Sequence, residues 1–522
     1  MGGPLLAVLR GWISAKTTAA MAAYVLDLVA ETSLEPRGIE LLDSPGFSGR
    51  LQAVVAATRD WTFLFGLNNI WAVLAQRLGG VGAFVVLLTW RWWAPFVVAG
   101  SFVLMSWTFA RWVNSAFDRV LEVSAGGRRQ ATYLRSLLTR PAAAKEVRLF
   151  GLADWLLDRY KSTWLTTMAE LWPLRKRGLR PAYLACLVTA VVIGGVLYVL
   201  TSDVVAGTVG VAFAVTLIQA VLAVQAFGIL GDTQRAVGQY AATVRGLSML
   251  RAEVGLPALT PTATTRTPTT VPHGPASVEL NDVVFTYPTR DRPTLTGLSL
   301  TIPAGQSLAI VGVNGAGKST LIKLLCGLYQ PDSGTVRIGG ADSADGIRSR
   351  VAAIFQDFVR YPLPLRDNVR MGANGNDQPL LDEALGKAAG AGLLRRLEDG
   401  WDTVLSSEYA GGTDLSGGQW QRVALARALA AVCGGAGVLI LDEPTAALDV
   451  RTEAALFERF LEMTRGVTTV LVTHRLSSVR HVDRIVVLDS ERGIVEDGSY
   501  DALMAADGTF AQLFRLQGSR FS

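Results

Sequence analysis

The chain has 522 residues, half of them hydrophobic and 18% charged, with a net charge of +5. Such a length exceeds one compact core, and a positive mean hydropathy argues against an ordinary soluble enzyme and for a membrane protein. A modest positive excess gives no nucleic-acid footprint, and three distant cysteines (Cys186, Cys326, Cys433) make neither a disulfide framework nor a zinc site.

In chain order, "AKTTAAMAAYVLDLVAE" (Ala15 to Glu31) is apolar but short, and Asp27 interrupts it. It is expected to be a partial membrane helix, and it lacks the features of a signal peptide. A span over about residues 69–90 follows, interrupted by Arg77. Three uncharged runs come next: Trp92 to Ala110 with nineteen residues, Ala182 to Ser202 with twenty-one and Val204 to Gly231 with twenty-eight. Each approaches or exceeds the roughly 20 apolar residues that cross a bilayer. Arginine is concentrated over residues 111–181, whereas the turn "TSDVVAG" (Thr201 to Gly207) carries none. The positive-inside rule therefore puts the long segment in the cytoplasm and the short turn outside. Apolar residues at helical spacing in "ATYLRSLLTR" and "DWLLDRYKSTW" predict helices running on beyond the bilayer. A polar helix should extend to about Leu256, and the Pro/Thr-rich stretch over residues 255–276 reads as a linker. The domains are thus expected at 1–254, a membrane domain with about four complete spans, and 277–522.

The second half changes character, to short apolar strand runs alternating with helical patterns. "SLAIVG" leads into "GVNGAGKST" (Gly312 to Thr320) and then the helical "LIKLLCGL", a G-x-x-x-x-G-K-[ST] loop in its strand–loop–helix context. Its glycines allow backbone N–H groups to converge on phosphate oxygens at a helix N-terminus. Gly312, Asn314, Gly315, Ala316, Gly317, Lys318, Ser319 and Thr320 are the candidate nucleotide contacts. Lys318 should reach the β- and γ-phosphates and Ser319 should ligate Mg2+. A second strand run, "GVLILDEPT" (Gly437 to Thr445), ends in Asp442, which would support the metal, and Glu443, placed to polarise an attacking water. ATP and Mg2+ are the expected ligands. Gln356, His474 and Tyr287 are unremarkable singly and gain meaning from their order around these two motifs.

"LSGGQ" (Leu415 to Gln419) between the two motifs resembles the signature of ATP-binding cassette (ABC) ATPases. "TAALD" (Thr445 to Asp449) looks like their D-loop, Gln356 their Q-loop, His474 their switch histidine and Tyr287 their adenine-stacking aromatic. The resemblance covers about residues 277–522. It implies an α/β P-loop ATPase with a helical subdomain, behind an α-helical polytopic membrane domain. It also implies that Gln356 senses Mg2+, that His474 contacts the γ-phosphate, and that Asp449 lies at the nucleotide. Two cassettes would close head to tail, so that Ser416, Gly417, Gly418 and Gln419 grip ATP held by the partner's P-loop. A membrane domain preceding the cassette is similar to exporter-type half-transporters. "IELLDSPGFSGRLQ" and "RPAAAKEVRLFG" then look like coupling helices.

"FQDFVRYPLPLRDNV" and "GGTDLSGGQWQRVALARAL" are similar to bacterial exporters of lanthipeptides and other small modified peptides. Those exporters can carry a leader-cleaving cysteine protease; none is expected here, because the first cysteine is Cys186 inside a span. Two departures stand out. Six spans are usual, so the chain is expected to begin within the second. "SSEYAGGTD" also replaces the usual run before the signature, so Glu408 does not inherit a coupling role. The expectation is an ATP-hydrolysing exporter subunit, multi-pass in a bacterial plasma membrane with its ATPase domain in the cytoplasm. Its partner is a second half-transporter, in a homodimer or heterodimer, and it binds no nucleic acid. The transported substrate, a peptide or a lipophilic small molecule, is not specified. The alternatives are a truncated half-transporter that hydrolyses ATP without transporting alone, an exporter-fold importer, and a non-transporting cassette ATPase, which the uncharged runs oppose.

Overall fold

The computed structural model describes residues 3–35, 38–59, 61–122, 125–228, 232–260, 274–372, 378–443, 464, 466–474, 476–490 and 492–518. Contacts divide the chain into two units, one of Met1–Glu35 with Pro45–Thr262 and one of Pro36–Ser44 with Ala263–Ser522.

The first unit is helical: α1 (Gly3–Leu34), α3 (Pro45–Thr58), α4 (Trp61–Leu88), α5 (Ala94–Glu122), α6 (Ala125–Thr139), α7 (Pro141–Leu149), α8 (Ala153–Val205), α9 (Val211–Ala223) and α10 (Asp232–Glu253). Among the described residues three segments are long and apolar enough to cross a membrane: Gly11–Leu34, Ala94–Arg111 and Arg180–Val205. Ala72–Leu88 and Val211–Phe227 are shorter apolar helices. Leu87, Val98, Phe102, Val196, Leu200, Leu217, Val221 and Val224 close a small core among α4, α5, α8 and α9. Apolar side chains such as Leu187, Val191 and Tyr198 stay exposed along α8.

Two expectations need correction here. The amino-terminal stretch is not short: α1 is 32 residues long. Asp27 lies on its exposed side, where a carboxylate leaves backbone hydrogen bonding intact. The apolar run from Val204 is not one helix either. α8 continues to Val205, the chain turns with Gly207 at φ +74°, and α9 starts at Val211. The turn read at Thr201 to Gly207 is present, displaced to residues 206–210, because α8 keeps its helical bonding through Val205. Asp203 marks this end of α8: its carboxylate accepts from Trp90 Nε1 at 2.9 Å and Arg91 Nη2 at 3.0 Å. The helix expected to run on beyond the apolar segment is present, since α8 has 53 residues and only its last half is a candidate span.

The second unit is α/β. A six-stranded sheet has the order β5 (Val351–Ile354), β6 (Val438–Asp442), β7 (Thr468–Val472), β3 (Ser307–Gly312), β8 (Arg484–Asp489), β9 (Gly493–Gly498). All neighbours are parallel except β8 and β9. β6 and β7 are buried along their whole length, which explains their unbroken apolar sequence. A three-stranded antiparallel sheet, β2 (Leu295–Ile302), β1 (Val278–Phe285) and β4 (Ser333–Ile338), packs beside it. α11 (Lys318–Leu325) follows β3, and α12 (Ala344–Arg350) follows β4. α13 (Leu365–Arg370), α14 (Gln378–Lys387), α15 (Ala391–Leu394) and α16 (Gly417–Cys433) form a helical part that shares one core with the six-stranded sheet, where Leu365, Val369, Leu385, Trp420 and Leu425 join Leu439, Leu441 and Leu471. α17 (Tyr500–Ala505) and α18 (Thr509–Gly518) end the unit.

The segment before α3 also belongs to this unit and carries α2 (Glu40–Asp43). Ile39 N–H donates to the Leu328 carbonyl at 2.8 Å, Glu40 Oε1 accepts from Gln330 N–H at 2.9 Å, and the Tyr329 hydroxyl donates to Asp43. A Cβ on Gly38 would lie 2.7 Å from the Leu328 oxygen, so only glycine permits this approach.

Candidate functional site

Parallel strands place their carboxyl ends along one edge, and loops from neighbouring strands meet there. β3 ends at Gly312, where a Cβ would lie 2.3 Å from the Leu488 carbonyl oxygen on β8. The loop turns through Gly315 and Gly317, at φ +87° and +91°, into α11. Asn314, Gly315 and Ser319 are exposed, whereas Ala316, Gly317, Lys318 and Thr320 are buried. Lys318 folds back on its own loop, donating from Nζ to the carbonyls of Gly312 at 2.8 Å and Val313 at 3.0 Å. Burial lowers its pKa, opposed by the nearby carboxylates of Glu443 and Asp442.

Because β5, β6 and β7 are neighbours, the residues just past their ends converge. Asp442, the last residue of β6, is buried. Its pKa is pushed up to about 6, first by burial and then by Glu443 and Asp357, against Lys318 and Lys323. Glu443 has φ +48°, a left-handed backbone that costs a non-glycine residue about 1–3 kcal/mol. Its carboxylate is held from both sides. Gln356 Nε2 donates to Oε2 at 2.9 Å, and His474 Nε2 lies 2.6 Å from Oε1. Gln356, Glu443 and His474 therefore form one cluster beside Lys318 and Asp442, although 87 residues separate Gln356 from Glu443.

Tyr287, just past β1, is half-buried, and its hydroxyl shares a hydrogen bond of 3.1 Å with Thr320 Oγ1 on α11. Its ring sits edge-to-face on Phe285 at 5.0 Å and Tyr329 at 5.4 Å, with the Lys323 ammonium 5.4 Å and the Arg290 guanidinium 5.7 Å from its centroid. An apolar core thus holds an aromatic ring at the P-loop helix, flanked by cations.

The signature lies elsewhere, in the helical part. α16 begins at Gly417. The reason is a capping box: Ser416 Oγ accepts from Gln419 N–H at 3.4 Å and Gln419 Oε1 accepts from Ser416 N–H at 2.8 Å. Gln419 is thereby engaged in its own helix start, while Ser416 still has its hydroxyl proton to donate. Ser416, Gly417, Gly418 and Gln419 are exposed or half-exposed. "SSEYAGGTD" is a loop folded on itself: Gly412 N–H donates to Tyr409 at 2.9 Å and Thr413 N–H to Val404 at 2.9 Å, with Gly411 at φ +74°. Asp449 and the rest of the stretch from Pro444 lie outside the described residues.

Several contributors were not foreseen from the sequence. Tyr329 joins Tyr287 to the segment around α2, and Gln517 contacts the backbone next to His474. A single Tyr and a single Gln in amphipathic surroundings carry no sequence signal of such roles.

Residues 295–446 match the family model described as ABC transporter. The mycobactin import ATP-binding/permease protein IrtB of Mycolicibacterium thermoresistibile is 42% identical over 245 residues, 46% of this chain and 41% of that protein. The ATP-dependent lipid A-core flippase of Aliivibrio fischeri is 36% identical over a stretch of the same size, also 41% of its length. These matches span about two fifths of the relatives. IrtB of Mycobacterium bovis is 30% identical over 537 aligned positions, covering 97% of this chain and 88% of that protein. A solved bacterial Atm1-family ABC exporter with ATP bound superposes with a TM-score of 0.75 at 25% identity, covering 99% of this chain and 89% of the exporter's.

Proposed function

This chain belongs to the ABC transporter family, and from that premise we propose that it is one half of a membrane transporter driven by ATP hydrolysis. The observation that carries this reading is the placement of the Glu443 carboxylate between Gln356 and His474, beside Lys318 and Asp442. A carboxylate on a loop between two movable polar side chains suits a general base for an attacking water.

In this reading the P-loop from Gly312 to Thr320 cradles the ATP phosphates and Lys318 exchanges its carbonyl partners for phosphate oxygens. Tyr287 offers its ring to adenine. The residues also suit Mg2+: Ser319 is exposed at the helix start, and Asp442 is a buried carboxylate whose charge acts on the neighbouring Lys318. Ser319, Asp442 and Gln356 would hold the ion, which neutralises phosphate charge during transfer. As Gln356 and His474 turn to the metal and the γ-phosphate, Glu443 is released to take the proton of water. Ser416 and Gly418 complete the site on a second subunit, so the working unit is a dimer in the plasma membrane. The segment around α2 and the end of α7, where Leu149 and Phe150 are 78% and 65% accessible, are the candidate coupling helices.

The test is Glu443→Gln in the full chain, reconstituted in vesicles. Hydrolysis should fall at least about 100-fold while ATP still binds. Unchanged turnover removes Glu443 as base. The direction of transport has a second reading, import, favoured by the nearly full-length likeness to mycobactin import proteins. ATP-dependent movement of an amphipathic siderophore towards the cassette side of the same vesicles would select import, and movement away from it export.

A further inference from the structure

His474 reaches Glu443 from a connecting segment, and such a side chain is placed only as well as its backbone is held. β7 ends at Val472 and a 3-10 turn begins at Leu476, so His474 lies between the two elements. The side-chain amide of Gln517, in the last turn of α18, spans this connection. Its Nε2 donates to the His474 carbonyl at 2.6 Å, and its Oε1 accepts from the Leu476 N–H at 2.7 Å. Bonding to residues i and i+2 in this way is what a parallel strand neighbour does, and here one side chain supplies it. α18 is itself well anchored. Glu496 accepts from the N–H groups of Thr509 and Phe510, the latter at 2.9 Å, and Tyr500 packs edge-on against Phe510 and Phe514. Phe510 and Ala511 are fully buried.

We propose that Gln517 is a positioning residue for ATP hydrolysis: it fixes the backbone of His474 so that the imidazole meets Glu443. The proposal rests on the ATPase reading above. It makes the carboxy-terminal helix a control point of the site, because any displacement of α18 is transmitted to Glu443 through two hydrogen bonds and one side chain.

The experiment uses the full chain in detergent micelles. Gln517→Ala should lower kcat about 10- to 100-fold, as misplacement of a catalytic group does, with KM for ATP and melting temperature near wild type. Gln517→Glu keeps shape and acceptor but cannot donate to the His474 carbonyl, so it should lower kcat as well. The decisive measurement is the double variant with His474→Ala, which should hydrolyse no more slowly than His474→Ala alone. Additive losses, or a changed KM and melting temperature with kcat intact, overturn the proposal. So does failure of both Gln517 variants to fold, which makes the residue a structural brace. If wild type hydrolyses no faster than Glu443→Gln, the ATPase reading falls, and this proposal with it. If wild type is active and the Gln517 variants match it, only the positioning role falls.

Discussion

Asp442 carries the sharpest electrostatic consequence at the scale of single residues. Burial and two neighbouring carboxylates raise its pKa to about 6, above the usual range near 4. Between those values the folded cassette holds a proton that the unfolded chain has released. The contribution of this group to nucleotide-free stability therefore falls as pH rises from about 4 to 6 and is level above that. Metal binding needs the ionised carboxylate, so Mg2+-dependent ATP affinity should weaken in the opposite direction, as pH drops below about 6. Asp442→Asn should flatten this part of the stability–pH curve in thermal melts and abolish Mg2+-dependent binding at every pH. An unchanged slope in the variant would exclude Asp442 as its source. Elsewhere, Arg251 shows what sequence reading passes over. It is fully buried, pairs with Glu31 at 2.9 Å, and donates to the Pro257 and Thr260 carbonyls at 2.7 and 2.9 Å, tying the chain after α10 to α1.

Among the elements, α16 combines two tasks at one serine. Ser416 caps the helix, a contribution of about 1 kcal/mol, and faces the position proposed for the partner's phosphate. Aspartate caps as well as serine but brings a negative charge, which repels phosphate. Ser416→Asp should therefore leave helix content and melting temperature near wild type in circular dichroism while hydrolysis is lost. Retained hydrolysis would confine Ser416 to the cap. The start of α16 was legible in principle, since Ser-x-x-Gln before an apolar run is a capping box. The loop "SSEYAGGTD" had no such rule, because its fold depends on hydrogen bonds to Val404 and within itself.

For the whole molecule, the question is whether the signature works in trans. Lys318→Ala disables a P-loop, and Ser416→Arg blocks a signature. In a homodimer each variant alone should be inactive in both sites. Mixed subunits place both lesions in one site and leave the other intact. With random pairing and independent sites, mixing two inactive proteins should restore about a quarter of wild-type hydrolysis. No recovery, with mixed dimers verified by two affinity tags, would contradict trans assembly.

The order of the motifs was enough to identify the cassette, because P-loop, signature and strand-end carboxylates are each read within a few consecutive residues. Glycines at the phosphate loop and burial of β6 and β7 follow from local chemistry and from an unbroken apolar run. Chain-local signals also placed the long helix α8 and the candidate spans at 94–111 and 180–205. The turn before α9 was legible as well, but its bounds were not, since Val204, Val205 and Val211 are alike in hydropathy. Only the sheet order β5-β6-β7 brings Gln356, Glu443 and His474 within hydrogen-bonding distance. Only the docking of α18 puts Gln517 on the His474 backbone, and only the packing of residues 38–44 puts Asp43 on Tyr329. Contacts between residues far apart in the chain depend on how strands pair and helices pack, which no short stretch of sequence encodes by itself.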